Sequence, residues 1–323
     1  MDTEPEHPRA ILLKEMQTAA QLGNLTQLQS LLQRWETELI NGIPAIEQDQ
    51  LWFKPGVNEQ LELFNELNRP KEETKWVHNG QLLMNRVLVS ASRGNQVAVA
   101  EFLLEEKGCP ITSIAVQVAM MKRSFDVLES YLSHGWDINQ PIRNNQCPIL
   151  RQVVNDEERV RWCLEHRANP NTRNNNKTLD VLSHAARHAS FPVLELLVAH
   201  GGEFSKSDAL HQAAEKGRLD VMRWLLDGRP SFNLYCMPLT IICLDREFPI
   251  NQRELEYDID MFNDRQSNGL GTALHAATEE GCVESMKFLI DRGIDVELPD
   301  TLGRKALTLC ENEETSLELK SPV

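Results

Sequence analysis

Apolar residues along this chain recur at helical spacing, and the clearest stretch runs from Gly271 to Asp300, G-T-A-L-H-A-A-T-E-E-G-C-V-E-S-M-K-F-L-I-D-R-G-I-D-V-E-L-P-D. It reads as a short helix, a turn at Gly281, a second helix and a stop at Gly293. Val283, Met286, Phe288, Leu289 and Ile290 give the second helix one buried stripe. Thr272 stands where a side-chain oxygen satisfies the first free backbone N–H groups of a helix.

The same template slides along the chain. Leu274 precedes Gly281 by 7 residues and Ile290 by 16. Those offsets return at Leu210, Gly217 and Leu226; at Leu182, Ala189 and Val198; and at Val116, Arg123 and Leu132. They return again at Val87, Gly94 and Leu103, and at Met16, Gly23 and Leu32, while a seventh copy from Leu150 to Leu164 is two residues short. Small residues follow each anchor: Ala19 and Ala20, Ser90 and Ala91, Ala119, Ala185 and Ala186, Ala213 and Ala214, Ala277. They let neighbouring helix pairs approach closely. The pattern predicts an all-α solenoid of helix-turn-helix repeats joined by hairpin loops.

The period divides the chain into a tail over 1–9, a repeat over 10–40, an insertion over 41–80 and repeats over 81–232. A second interruption over 233–268, terminal repeats with a cap over 269–311 and a polar tail over 312–323 complete it. The first insertion holds Trp52, Phe53 and Trp76, and Trp52 and Phe53 either dock on the repeats or serve a partner. In the second, Met237-Pro238-Leu239 reads as a degenerate helix and Arg253–Asp264 as an enlarged hairpin finger.

The segments A-L-H-Q-A-A-E-K-G-R-L-D-V-M-R-W-L-L from Ala209 and T-A-L-H-A-A-T-E-E-G-C-V-E-S-M-K-F-L-I from Thr272 resemble ankyrin repeats. So do the hairpins H-G-W-D-I-N from His134 and H-R-A-N-P-N from His166. The resemblance covers about residues 10–40 and 80–310 and is most specific from Ser207 to Asp300. Ala209 and Ala273 replace the Pro of the family's T-P-L-H, and His211 and His275 keep its His. The resemblance implies a hydrogen bond from each His that orients the turn. It also implies a non-enzymatic protein that binds other proteins as an adaptor, scaffold, inhibitor or transcriptional coregulator.

Composition narrows the partners. A net charge of −15 and a pI near 5.1 repel phosphate backbones and anionic lipid, so neither nucleic acid nor membrane is an expected direct partner. A coregulator of this charge would reach DNA through a DNA-binding partner. No apolar run approaches the ~18 residues that cross a bilayer. Met1–Ala10 is acidic and contains proline, so no secretory signal is expected. Seven cysteines, an odd number without a C-x-x-C, fit reduced thiols in the cytoplasm or nucleus. A monomer without cofactors is expected; the alternative of an oligomerisation platform would show in light scattering.

No phosphate-binding, dinucleotide-binding, nucleophile-elbow or zinc-protease motif occurs. His184 and His188 share a helix face at i and i+4, but no third metal ligand stands at a characteristic spacing. Cys163 and His166 mimic a dyad, yet Cys163 falls on a packing stripe. Trp162 and Trp224 occupy the same slot as Leu196 and Phe288, which marks them as core. An enzyme would need its site in an insertion, where Asp245, Glu247, Asp258 and Asp260 offer oxygen ligands for a cation without ligand spacing.

In stacked repeats the first helices expose a strip at positions 2, 5 and 6 after each anchor. The rows are Val89, Ser92, Arg93; Val118, Met121, Lys122; His184, Arg187, His188; Gln212, Glu215, Lys216; and Ala276, Glu279, Glu280. The centre is basic and partly apolar and the last row acidic. One reading is a groove for an acidic, partly hydrophobic protein segment whose basic end meets Glu279 and Glu280; the other is a solvated helix face. Trp136 replaces the usual small residue of its hairpin and either meets a partner or folds back on a neighbouring hairpin. Arg143, Asn144 and Asn145, like Arg173, Asn174 and Asn175, are turn residues first and partner contacts second.

Overall fold

The structure, a computed structural model, describes residues 7–40, 42–44, 79–142, 147–173, 180–227 and 248–310. They fall into two compact units, Met1–Asn144 and Asn145–Val323.

The first unit contains three helix pairs. They are α1 (Pro8–Leu22) with α2 (Leu25–Thr37), α3 (Asn79–Arg93) with α4 (Val97–Glu105), and α5 (Ser113–Lys122) with α6 (Phe125–Ser133). Pro8 suits the first helical position because its missing N–H would have no partner there. Helix α1 therefore begins inside the expected tail, and Arg9 is 1% exposed with its guanidinium 3.3 Å from the centre of the Trp35 ring. Asn24 starts α2 by accepting the Gln27 N–H, and Thr112 starts α5 by accepting that of Ala115. Helix α1 packs on α3, and α3 on α5. The anchor-following residues Ala19, Ala20, Ser90, Ala91 and Ala119 are all buried along these first helices. After α2, a small hairpin of β1 (Leu39–Ile40) and β2 (Ile43–Pro44) sets Ile40 opposite Ile43; it departs from the otherwise helical fold.

The second unit holds α7 (Ile149–Gln152) with α8 (Glu157–Glu165) and α9 (Val181–His188) with α10 (Phe191–Ala199). These are followed by α11 (Ala209–Glu215) with α12 (Leu219–Leu226), a lone α13 (Ile259–Arg265), and α14 (Ala273–Glu279) with α15 (Val283–Asp291). The copy that is two residues short has a first helix of 4 residues. Helix α11 packs directly against α14. The described part of the second interruption is a strap over residues 248–258 followed by α13, which buries no residue. Met237-Pro238-Leu239, the first insertion's Trp52, Phe53 and Trp76, and the polar tail lie outside the described residues. A 3-10 turn at Ala306–Leu309 closes the array against α14.

Three of the second helices, α6, α8 and α10, end in one repeated device. His134, His166 and His200 bond through Nδ1 to the carbonyls of Ser130, Trp162 and Leu196 at 2.7, 2.8 and 2.9 Å. Each side chain adds a second bond to a last-turn carbonyl that also accepts the histidine's own backbone N–H at 3.1 Å. Trp162 and Trp224 are 7% and 2% exposed, and Trp224 meets Phe204 edge-on at 5.1 Å. Both are core residues, as their slot predicts.

Candidate functional site

In the first unit the strip lies across α1, α3 and α5. Arg93 and Lys122 are exposed and make no ion pair among the described residues, Met121 is 63% exposed, and Val89 and Val118 are half-buried. Ser92 is withdrawn from this surface: it is buried, bonded to the Tyr131 hydroxyl at 2.6 Å and to the Leu88 carbonyl at 2.9 Å. Leu22, six residues after the anchor Met16 and 73% exposed, extends the row and was missing from the expected strip. Applying the offset of six to the first copy as well would have found it.

The strip of the second unit differs from its expected character. Arg187 reaches from α9 to α11, where its guanidinium pairs with Glu215 and donates to Gln212 Oε1 at 2.7 Å. Burial, with Arg151, His188 and Arg187 nearby, lowers His184 to about 4. Burial and the Arg187 charge also lower His188, so both imidazoles are neutral at pH 7. Their rings meet edge-on at 4.7 Å. Lys216 is exposed and has no ion pair among the described residues. The basic character expected here is thus reduced to Lys216, because the cation of α9 is paired with the carboxylate of α11 and both imidazoles are neutral. No group of three His, Cys, Asp or Glu among the described residues is placed to hold a metal.

Trp136 is 5% exposed and folds back on its own unit instead of standing at a finger tip. Its ring lines a recess with Leu104, Pro110, Ile111 and His134. Arg143, Asn144 and Asn174 lie outside the described residues. Arg173 is committed to the strap: its guanidinium lies 4.9 Å from the centre of the Tyr257 ring and 3.2 Å from Asp258. That contact and the capping of Met261 N–H by Asp258 Oδ1 give this carboxylate a structural task.

The strap forms a polar cluster that sequence reasoning missed. Leu255, at φ 61° in the left-handed region, donates its N–H to Asp208 Oδ1 at 2.8 Å. The Tyr257 hydroxyl lies 3.1 Å from Asp208 Oδ2 and 3.4 Å from Asp180 Oδ2. Burial pushes the Asp208 carboxyl up to about 7, and burial raises Asp180 as well. The available signal was register: Asp180 and Asp208 stand two residues before their anchors, where Thr272 stands in the next copy.

The motif histidines tie successive turns together. His275 accepts the Thr272 N–H at Nδ1 and donates from Nε2 to the Arg304 carbonyl at 3.1 Å. His211 Nε2 donates to the Gly271 carbonyl at 3.1 Å. Burial lowers both histidines, which keeps them neutral for these roles. The Cys163–His166 dyad does not form a nucleophile. His166 stacks on Trp162 at 4.2 Å and bonds its carbonyl, while burial pushes the Cys163 thiol up, away from the thiolate.

The family model for ankyrin repeats matches residues 149–236 and 208–300, in three copies. No curated protein matches the chain.

Proposed function

Residues 149–300 make this an ankyrin-repeat protein, and from that premise we propose a non-catalytic adaptor or regulator that binds an acidic, partly apolar protein segment. Ankyrin repeats in general mediate protein–protein interaction and are typically without enzymatic activity. The observation that carries the finer reading is the row on the first unit. Arg93 and Lys122 are exposed cations in a chain of net charge −15, and Leu22 and Met121 are 73% and 63% exposed beside them in the template. Exposed cations attract an acidic segment from a distance. Once it is seated, apolar side chains on Leu22 and Met121 gain roughly 25 cal/mol per Å² buried. No helix among the described residues is long and apolar enough to cross a membrane.

The test uses the full chain as bait for a random peptide display library. Recovered sequences combine Asp or Glu with Leu, Ile or Phe, and bind more weakly as salt rises. The double variant Arg93→Glu, Lys122→Glu then binds them at least about tenfold more weakly, a loss of about 1.4 kcal/mol. Both positions are exposed, so the thermal melt stays put. Binding that ignores both the reversal and the salt refutes this reading.

A further inference from the structure

The second unit contains a cavity of ≈ 260 Å³ whose wall is rich in hydrogen-bond acceptors. Glu215 comes from the end of α11, Glu279 and Glu280 from the end of α14, and Glu254 from the strap; His211 and Gln212 complete its inner side. Protein cations reach only part of it. Arg187 takes Glu215 and Gln212, and Arg304 lies 3.8 Å from Glu279 while its main partner is Asp300 at 2.6 Å. Glu254 and Glu280 make no ion pair among the described residues, although Glu254 is half-buried. Burial and the neighbouring Asp208 hold the Glu254 carboxyl above the ordinary carboxylate range, a cost that a bound cation relieves.

His211 supplies an independent observation. It is 5% exposed, and with Nε2 donating to Gly271 its Nδ1 is an unprotonated acceptor that makes no hydrogen bond. His211 and Glu254 line the same cavity, and a half-buried carboxylate without an ion pair beside an imidazole with an unsatisfied nitrogen suits a donor-rich occupant. No three acidic or histidine side chains among the described residues converge on a metal position, so the acceptors are too dispersed for a point ion. The volume is below the roughly 300–1,000 Å³ of small-molecule pockets and suits one side chain. Gln212, Glu215, Glu279 and Glu280 also occupy strip positions, so whatever lies along these helices passes over the cavity.

We propose that this cavity receives the guanidinium of an arginine from a partner protein's segment, with Glu254 as its inner counter-ion and Glu279 and Glu280 at the rim. The inference rests on the protein-binding reading above and names the chemistry of the partner at one place. A guanidinium fits better than an ammonium because its five N–H donors form a planar fork that engages separated acceptors at once.

The same display library, selected on the full chain, tests it. Selected peptides carry an arginine at one fixed register, and replacing it with the uncharged isostere citrulline weakens binding roughly 10- to 100-fold, with lysine between the two. Glu254→Gln on the protein gives a loss of the same order and leaves the melting temperature unchanged or raised. Glu280→Lys, at an exposed site, gives a loss without any folding ambiguity. Peptides that lack a fixed arginine, or that bind both variants as tightly as the parent, overturn the cavity assignment. If those peptides still respond to the Arg93 and Lys122 reversal, the acidic-segment reading stands while this one falls. If no peptide is recovered at all, both fall.

Discussion

Asp208→Asn should stabilise this protein at pH 8 and flatten its dependence on pH. The Asp208 carboxyl is 4% exposed and is raised from its ordinary 3.8 to about 7, chiefly by burial. Between those values the unfolded chain has released this proton and the folded chain has not. Stability therefore falls as pH rises, with the cost of ionisation complete above about pH 7. An interval of about three pH units at 1.36 kcal/mol each makes the full cost about 4 kcal/mol, with about 3 kcal/mol falling between pH 5 and 8. Asparagine has the same shape and no charge. Its Oδ1 accepts the Leu255 N–H now held at 2.8 Å, and its amide faces the Tyr257 hydroxyl, which turns its proton to Asp180. Urea denaturation followed by far-UV circular dichroism, at pH 5 and pH 8, compares the two proteins. The variant should gain on the parent by about 3 kcal/mol from the lower to the higher pH. Asp180 and Glu254, also raised by burial, keep a residual slope of the same sign in the variant. An equal difference between the proteins at both pH values would refute the argument, because it would show Asp208 already ionised, or exposed, in the fold.

Two further outcomes follow from packing. At Gly94 an added methyl group runs into the Gln21 carbonyl oxygen, whereas at Gly135 it meets nothing within 4 Å and is opposed by the φ of +89° alone. Gly135→Ala should cost about 1–2 kcal/mol and Gly94→Ala clearly more, read as the order of their thermal melts. Cys109, Cys147 and Cys163 are buried, with burial pushing the first two thiols up to about 12 and about 11. At pH 8 they should resist alkylation in the native protein and react on unfolding, while Cys282 and Cys310, half-buried, react first; peptide mapping by mass spectrometry separates them.

Much of the fold was legible in the order of residues because helical periodicity is local. A helix pair of this length cannot bury its apolar stripe alone, so a recurring 7 and 16 offset already implies stacked neighbours. That argument placed Trp162, Trp224 and Cys163 in the core, while the resemblance to ankyrin repeats assigned His211 and His275 to the turns. It also named Arg93, Met121 and Lys122 as surface residues, since an offset along a helix determines which face a side chain occupies.

It did not determine what each face meets. Arg187 was expected as a free cation, and its charge is cancelled by Glu215, 28 residues away on the next helix. Trp136 had two destinations, and only the packed unit shows it folded inward. Tyr257 joins Asp208 and Asp180 across 49 and 77 residues, and Glu254 reaches the acidic cavity through a strap without repeat period. Faces follow from spacing within one element. Charge, burial and proton affinity follow from side chains that different elements bring together, and those distances exist only after the chain has folded.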